Sequence, residues 1–286
     1  MNIKEGVYLV EAKRTNPLLL AFAYGILIVG SIWMLLPLVW MTSAAFKPMS
    51  EIIQVPPTWI PKHFTLDNIK QVFEQVPFAR YFLNSIITTT VIVFSVLLTS
   101  TMAGYGFAKF NFKGKRILFL FILSSLMIPF QVRMIPLYQI SQQFGIIDTY
   151  IGVVFPWLFD AMGVFLMHQF MLTIPNELIE AARIDGASEV RIFFTIVLPQ
   201  LKSAISTLTI FTFSWSWEEF LWPLIISNSD RVRTLPVGLQ YFSEQYGINI
   251  HWQMAGAFVA VLPVLIVFFI MQKQFVEGIT LTGMKG

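Results

Sequence analysis

Between Arg14 and Lys47 the chain carries no charged residue, and the same holds between Arg80 and Lys109 and between His251 and Lys273. As a helix, each run is long enough to cross the ~30 Å hydrocarbon core of a bilayer with some tilt. In lipid the backbone must satisfy its own hydrogen bonds, and runs that are apolar throughout, without a two-residue alternation, do so as helices. Composition agrees. The chain is 56% hydrophobic and 12% charged, where a soluble domain is about half apolar and about a quarter charged. The first run, from Pro17, lacks a small-residue cleavage pattern after a short core and reads as a retained span.

Three further spans are less regular. Residues 117–138 carry Arg133 near their far end and are expected to bend at Pro129 and Pro136; residues 150–172 carry Asp160 and His168; residues 203–226 carry Glu218 beside Glu219. With 17–45, 81–108 and 252–272 they make an all-α membrane protein of six transmembrane helices in a single domain, 1–286. Zero cysteines exclude disulfides and thiolate chemistry. His63, His168 and His251 show no metal-ligand spacing, and no Walker-type glycine loop is present, so neither a metal site nor ATP hydrolysis is expected in this chain. The net charge of +3 is too small to argue for nucleic acid.

The basic residues instead report orientation. Lys4, Lys13, Arg14, the cluster Lys109, Lys113, Lys115 and Arg116, then Arg183, Arg191, Lys202, Lys273 and Lys285 fall on one side of the six-span arrangement. The other side holds Lys47, Lys62, Lys70, Arg80, Arg133, Arg231 and Arg233. The richer side is cytoplasmic, which places both termini and the 173–202 segment there and leaves the connections 47–80 and 227–252 outside. Those two outer connections serve equally as a surface for a soluble partner or as solvated links.

The 173–202 segment is the polar interruption. Pro175 and Glu177 suit the first turn of a helix, Leu178, Ile179 and Ala182 give it an apolar face, and Gly186 is placed for a left-handed cap. Ser188 and Glu189 start a second helix, which Pro199 ends. Its spacing is Glu180-Ala181-Ala182, three residues, Gly186, nine residues, Ile196, one residue, Leu198-Pro199.

That spacing is similar to the EAA signature of ABC importer permeases. From about residue 43 onward, SAAFKPMSEIIQVPPTWIPKHFTLDNI, PFARYFLNS, IPFQVRMIPLYQI, IIDTYIGVVFP, TLPVGLQYF and the final GITLTGMKG resemble the maltose-type carbohydrate-uptake branch. The resemblance implies a type I importer fold with a cytoplasmic coupling-helix hairpin. Glu180, Ala181, Ala182, Asp185 and Gly186 would be the ATPase-coupling positions. It implies as partners a second homologous permease, an ATPase dimer that uses ATP and Mg, and an extracytoplasmic solute-binding protein. The setting would be the bacterial inner membrane, with no cofactor bound by this chain. The chain departs from the family at His168, where arginine is usual, and at Trp217-Glu218-Glu219-Phe220, where Trp-Asn usually precedes Glu-Phe.

Charge at membrane depth is costly and usually faces a wet cavity or the bundle interior. Glu218 lies about 24 Å beyond Lys202 along a helix, in the outer part of the bilayer. As one continuous helix, Thr212, Ser216 and Glu219 share one face, and Phe211, Trp215, Glu218 and Trp222 share another. Carboxylates beside tryptophan suit a sugar. Gln131, Arg133 and Asp160 sit at comparable depth. A substrate path therefore runs past Gln131, Arg133, Asp160, Thr212, Trp215, Ser216, Glu218 and Glu219. The glutamates serve equally as helix caps, as partners of Arg133 or as contacts to a second subunit. Ion-coupled transport through these carboxylates, or carriage of an amino acid, are the competing functions.

Overall fold

The computed structural model describes residues 17–244 and 249–283, with side chains through 242 and from 249 to 273. Lys4, Lys13, Arg14 and Lys285, which enter the orientation argument, lie outside the described residues, as does the end of the GITLTGMKG tail.

Every described element is helical. α1 is Pro17–Ala45; α2, Met49–Ile52, and α3, Asp67–Gln75, lie in the first outer connection; α4 is Phe78–Lys109. Then come α5, Lys115–Ser124, α6, Phe130–Gln143, α7, Tyr150–Val154, and α8, Ala161–Leu172. The polar segment forms α9, Asn176–Ile184, α10, Glu189–Ile192, and α11, Leu198–Gln200. The last elements are α12, Lys202–Glu218, α13, Leu221–Ile226, α14, Leu235–Glu244, and α15, Ile250–Gly283.

Three of these helices, Pro17–Ala45, Phe78–Lys109 and the Ile250–Lys273 part of α15, are each long and apolar enough to cross a membrane. The three irregular spans are broken. Lys115–Met127 meets Phe130–Gln143 at 101°, and Tyr150–Trp157 meets Ala161–Leu172 at 48°. Proline is the local cause of the first break. Pro129 excludes helical geometry at Ile128, whose φ of −93° and ψ of 111° are extended. Pro136, expected to bend the span too, sits inside α6. In the fifth span α12 ends at Glu218, and Glu219 is extended before α13 begins. A 78° bend also separates Glu189–Gln200 from α12.

α4 packs chiefly on α8, while α12 lies between α4 and α15. Close approach at two glycines allows this. A Cβ at Gly104 would meet Met167 Cβ at 2.9 Å, and one at Gly163 would meet Ser100 Oγ at 2.4 Å. The core beneath the polar segment gathers Tyr105, Met167, Met171, Ile179, Ile192 and Val197. A second cluster, at the start of α4, joins Phe78, Tyr81, Trp217, Leu235 and Phe242.

The outer connections are tied down. The Glu51 carboxylate accepts from Thr58 Oγ1 at 3.0 Å, Lys62 N at 2.8 Å and His63 N at 3.2 Å. Buried Lys47 donates to the Thr58 carbonyl, and Asn68 bridges the carbonyls of Ala45 and Lys47 at 3.0 and 2.7 Å. Further along, Asp148 accepts from Asn228 N and Ser229 N, both at 2.9 Å, and from Ser229 Oγ at 2.7 Å. Burial alone would raise the Asp148 pKa. The Ser229 hydroxyl, the two N–H groups and the Arg231 charge outweigh it and hold the carboxyl below its ordinary value. A depressed folded pKa means stability that is present above the ordinary carboxylate range and lost as pH falls through it. Asp148→Asn is therefore expected to lower stability at neutral pH by about 1 kcal/mol and to flatten its acid-side decline, read as melting temperature against pH in detergent.

Candidate functional site

Two regions bring the singled-out residues together: the polar hairpin 175–200 and a cavity at the helix breaks.

In the hairpin, Gly186 has φ +79°, with its N–H bonded to Arg183 O at 3.0 Å and the Ala187 N–H bonded to Ala182 O at 2.9 Å. This pair of bonds is a Schellman cap, which closes the orphan carbonyls of α9 and turns the chain. Ser188 then caps α10, accepting from Arg191 N at 3.3 Å. The helix runs on through a π-helical stretch, Phe193–Val197, past Pro199, and ends at Leu201, where the sequence placed the end at Pro199 itself. Proline lacks the N–H that an α-turn would use, and the chain widens ahead of it.

The inward face of α9 is Ile179, 2% exposed, with Ala182 packed beside it. Leu178, assigned to that face from the sequence, is 47% exposed, a correction that follows from the helix's rotation toward Ile174 and Ile192. Glu180, Ala181, Asp185 and Gly186 are all exposed, and Ala182 is half-buried. Ile184 joins that outer surface at 86% exposure, an apolar knob among acidic neighbours that the sequence reading passed over.

The hairpin is anchored to the end of α4. Arg183 Nε bonds Glu189 Oε1 at 2.6 Å, Tyr105 Oη donates to Glu189 Oε2 at 2.9 Å, and Lys109 Nζ reaches Ile174 O at 2.6 Å and Asn176 Oδ1 at 2.8 Å. The Arg183 hydrogen bond holds the Glu189 carboxyl below its ordinary range against partial burial. None of these long-range partners carries a local sequence signal. Removing the shared acceptor with Glu189→Ala is expected to loosen the hairpin by about 1–3 kcal/mol, seen as faster amide hydrogen exchange over 176–192 than in wild type.

The second region is a cavity of about 440 Å³ where the breaks of the third, fourth and fifth spans converge. Gln131, Arg133, Asp160, Trp215 and Glu219 all line it, with Phe130 and Trp157. A neighbouring cavity of about 390 Å³ shares Asp160, Trp157 and Trp215 and adds Thr212. Two expected residues do not join. Glu218 is exposed outside either cavity, and Ser216 is buried with its hydroxyl bonded to Thr212 O at 2.6 Å. Both lie within α12, on faces turned from the cavity; the end of that helix at Glu218 instead frees Glu219 from the face of Thr212 and Ser216 and lets it line the cavity beside Trp215.

The carboxylates in the cavity are engaged by backbone. Asp160 is the N-cap of α8, accepting from Met162 N at 3.2 Å and Gly163 N at 2.9 Å. Glu219 accepts from Trp222 N at 3.1 Å in the first turn of α13. Arg133 has no ion pair among the described residues, and its buried Nε has no hydrogen-bond partner. Trp157 was missed from the sequence; its ring meets Trp215 edge-on at 4.4 Å and Phe130 at 4.4 Å, so it is central to the cavity wall. Pro156, in the 3-10 turn beside it, was the available signal.

Against known proteins, the chain is 38% identical over 253 residues to the arabinooligosaccharides transport system permease protein of Halalkalibacterium halodurans, covering 87% of this chain and 91% of that one. It is 34% identical to the lactose transport system permease protein of Rhizobium radiobacter, covering 89% and 93%. It is 32% identical to the sn-glycerol-3-phosphate transport system permease protein of Yersinia pestis, covering 90% and 95%. In fold it superposes with a TM-score of 0.80, at 20% identity and covering 92% of this chain and 98% of the other, on a chain of a bacterial ABC transporter involved in the import of the acidic polysaccharide alginate. Residues 95–280, which include the hairpin and the cavity, match the family model of the binding-protein-dependent transport system inner membrane component, and the chain belongs to that family.

Proposed function

We propose that this chain is one permease subunit of an ATP-driven importer for a carbohydrate, with both termini and the 173–202 hairpin cytoplasmic. The observation that carries the coupling half is the exposed surface of Glu180, Ala181, Ile184 and Asp185 on a hairpin bound at its root to α4. A surface of that kind passes a partner's displacement into the membrane helices. The partners are a second similar permease, an ATPase dimer that supplies the ATP and Mg chemistry, and an extracytoplasmic solute-binding protein. Closure of the ATPase dimer would draw the hairpins together and open the helices outward, and the binding protein would release its sugar to the cavity.

The cargo reading is supported by the cavity's make-up. Trp157, Trp215 and Phe130 offer ring faces for a sugar's C–H surface, and Gln131, Arg133, Asp160 and Glu219 offer hydrogen bonds. Relatives named for arabinooligosaccharide and lactose transport agree with it. An anionic cargo is favoured by one observation, an Arg133 without an ion pair among the described residues, beside carboxylates already held by backbone. The test is uptake into proteoliposomes holding the whole complex, with labelled mono-, di- and acidic oligosaccharides. Uptake should require both ATP and the binding protein; uptake on an ion gradient without ATP would sink the proposal.

A further inference from the structure

The cluster Lys109, Lys113, Lys115 and Arg116 belongs in full to neither functional region. Among the described residues no carboxylate lies within 4.0 Å of any of the four. Beside it opens a cavity of about 640 Å³ between the end of α4, the start of α5 and the cytoplasmic half of α8. Its walls are apolar. Phe107 packs on Phe112 and Phe119 at 5.9 and 5.3 Å, and Phe119 meets His168 at 4.4 Å with the rings tilted by 39°. Its rim is cationic, formed by Lys115 and Arg116.

Three features describe what would fill it. Arg116 is exposed, and Lys115 reaches only a backbone carbonyl, Phe110 O at 2.9 Å. The start of α5 has no side-chain cap and no acidic residue in its first turn, so its N–H groups add to the positive field. The face running away from the rim is strongly apolar and exposed: Ile117 at 74%, Phe121 at 75%. A ligand suited to all three has an anionic head and a hydrocarbon tail. We propose that this cleft is a binding site for an anionic phospholipid of the cytoplasmic leaflet, its phosphate held by Arg116 and Lys115 and an acyl chain laid along Phe107, Phe112 and Phe119. Basic pockets between membrane helices at this depth are suited to anionic headgroups. The cargo plays no part in the proposal, which uses the side assignment only to name the leaflet.

The experiment is native mass spectrometry of the purified permease–ATPase complex released from nanodiscs of phosphatidylcholine containing a minority of phosphatidylglycerol. Wild type should carry phosphatidylglycerol adducts enriched over the nanodisc mixture. R116Q and K115Q should each reduce that enrichment about fivefold, the share expected of one cation near an anionic surface. K62Q/K70Q, which removes two positive charges from the outer connection, should leave it unchanged. Excess inorganic phosphate should not displace the lipid. Displacement by phosphate would assign the site to a soluble anion and overturn the proposal, as would equal adducts in wild type and R116Q. The wild-type arm needs no variant to fold, and absence of enrichment there overturns the proposal alone.

Discussion

Gly186→Pro is expected to reduce ATP-driven uptake to background while the complex still assembles in the membrane. The residue sits at φ +79°, and proline holds φ near −65°. Proline also removes the N–H that bonds Arg183 O at 3.0 Å, and with the corner lost the Ala187–Ala182 bond goes too. The Schellman cap therefore cannot form, and α9 loses its fixed angle to α10. The corner itself packs on no membrane helix, since a side chain there would meet nothing within 4 Å. Gly186→Ala separates conformation from space. It pays only the left-handed strain of about 1–2 kcal/mol, so uptake should be lowered but not lost. Glu180→Lys tests the exposed face rather than the corner, reversing a charge without touching the cap, and should also abolish coupling. The measurements are binding-protein-stimulated ATP hydrolysis and sugar uptake in proteoliposomes. Full coupled uptake in both Gly186→Pro and Glu180→Lys would remove the coupling role from this hairpin.

The Gly186 corner was legible because its causes are local: a glycine after a helical run, followed by Ser188 as the next cap. The long apolar helices were legible for a similar reason, since a run without charge has one solution in lipid. What the sequence concealed was depth and direction within the other three spans. A hydropathy sum is the same whether residues 117–138 form one rod or two pieces at 101°. The breaks have local causes, Pro129 in the third span and the Asp160 cap of the half-helix that follows it, but their directions are fixed by tertiary contacts such as the Trp222 indole bonded to Gly152 O at 2.9 Å. The anchoring roles of Tyr105 and Lys109 were hidden because their partners lie 84 and 65 residues along the chain. Five of the eight residues named for the path meet in one cavity. The helical faces drawn through Glu219 failed because α12 stops one residue earlier.

Within that cavity, Arg133→Ala is expected to reduce uptake at least tenfold, a larger loss than Asp160→Asn or Glu219→Gln. The three polar groups look alike in sequence and differ in commitment. Asp160 and Glu219 each satisfy backbone N–H groups at a helix start, and an amide oxygen at either position still accepts those bonds. Their neutral replacements should therefore leave stability nearly unchanged and cost only a few-fold in uptake. Arg133 holds no ion pair among the described residues and lies over the Phe130 ring at 5.9 Å, so under the proposed carbohydrate role its guanidinium is the group expected to bond a saccharide. A hydrogen bond to a charged group is worth about 1.5–3 kcal/mol, which corresponds to roughly ten- to a hundredfold in affinity. Arg133→Lys separates charge from geometry: it keeps the positive charge but loses the planar fork, and should restore uptake of an acidic saccharide better than that of a neutral one. The readout is concentration-dependent uptake in proteoliposomes at fixed ATP and binding protein, with thermal stability measured in parallel. Equal losses at Arg133, Asp160 and Glu219 that track stability alone would make the cavity a packing defect at three helix breaks, and the cargo would have to pass elsewhere.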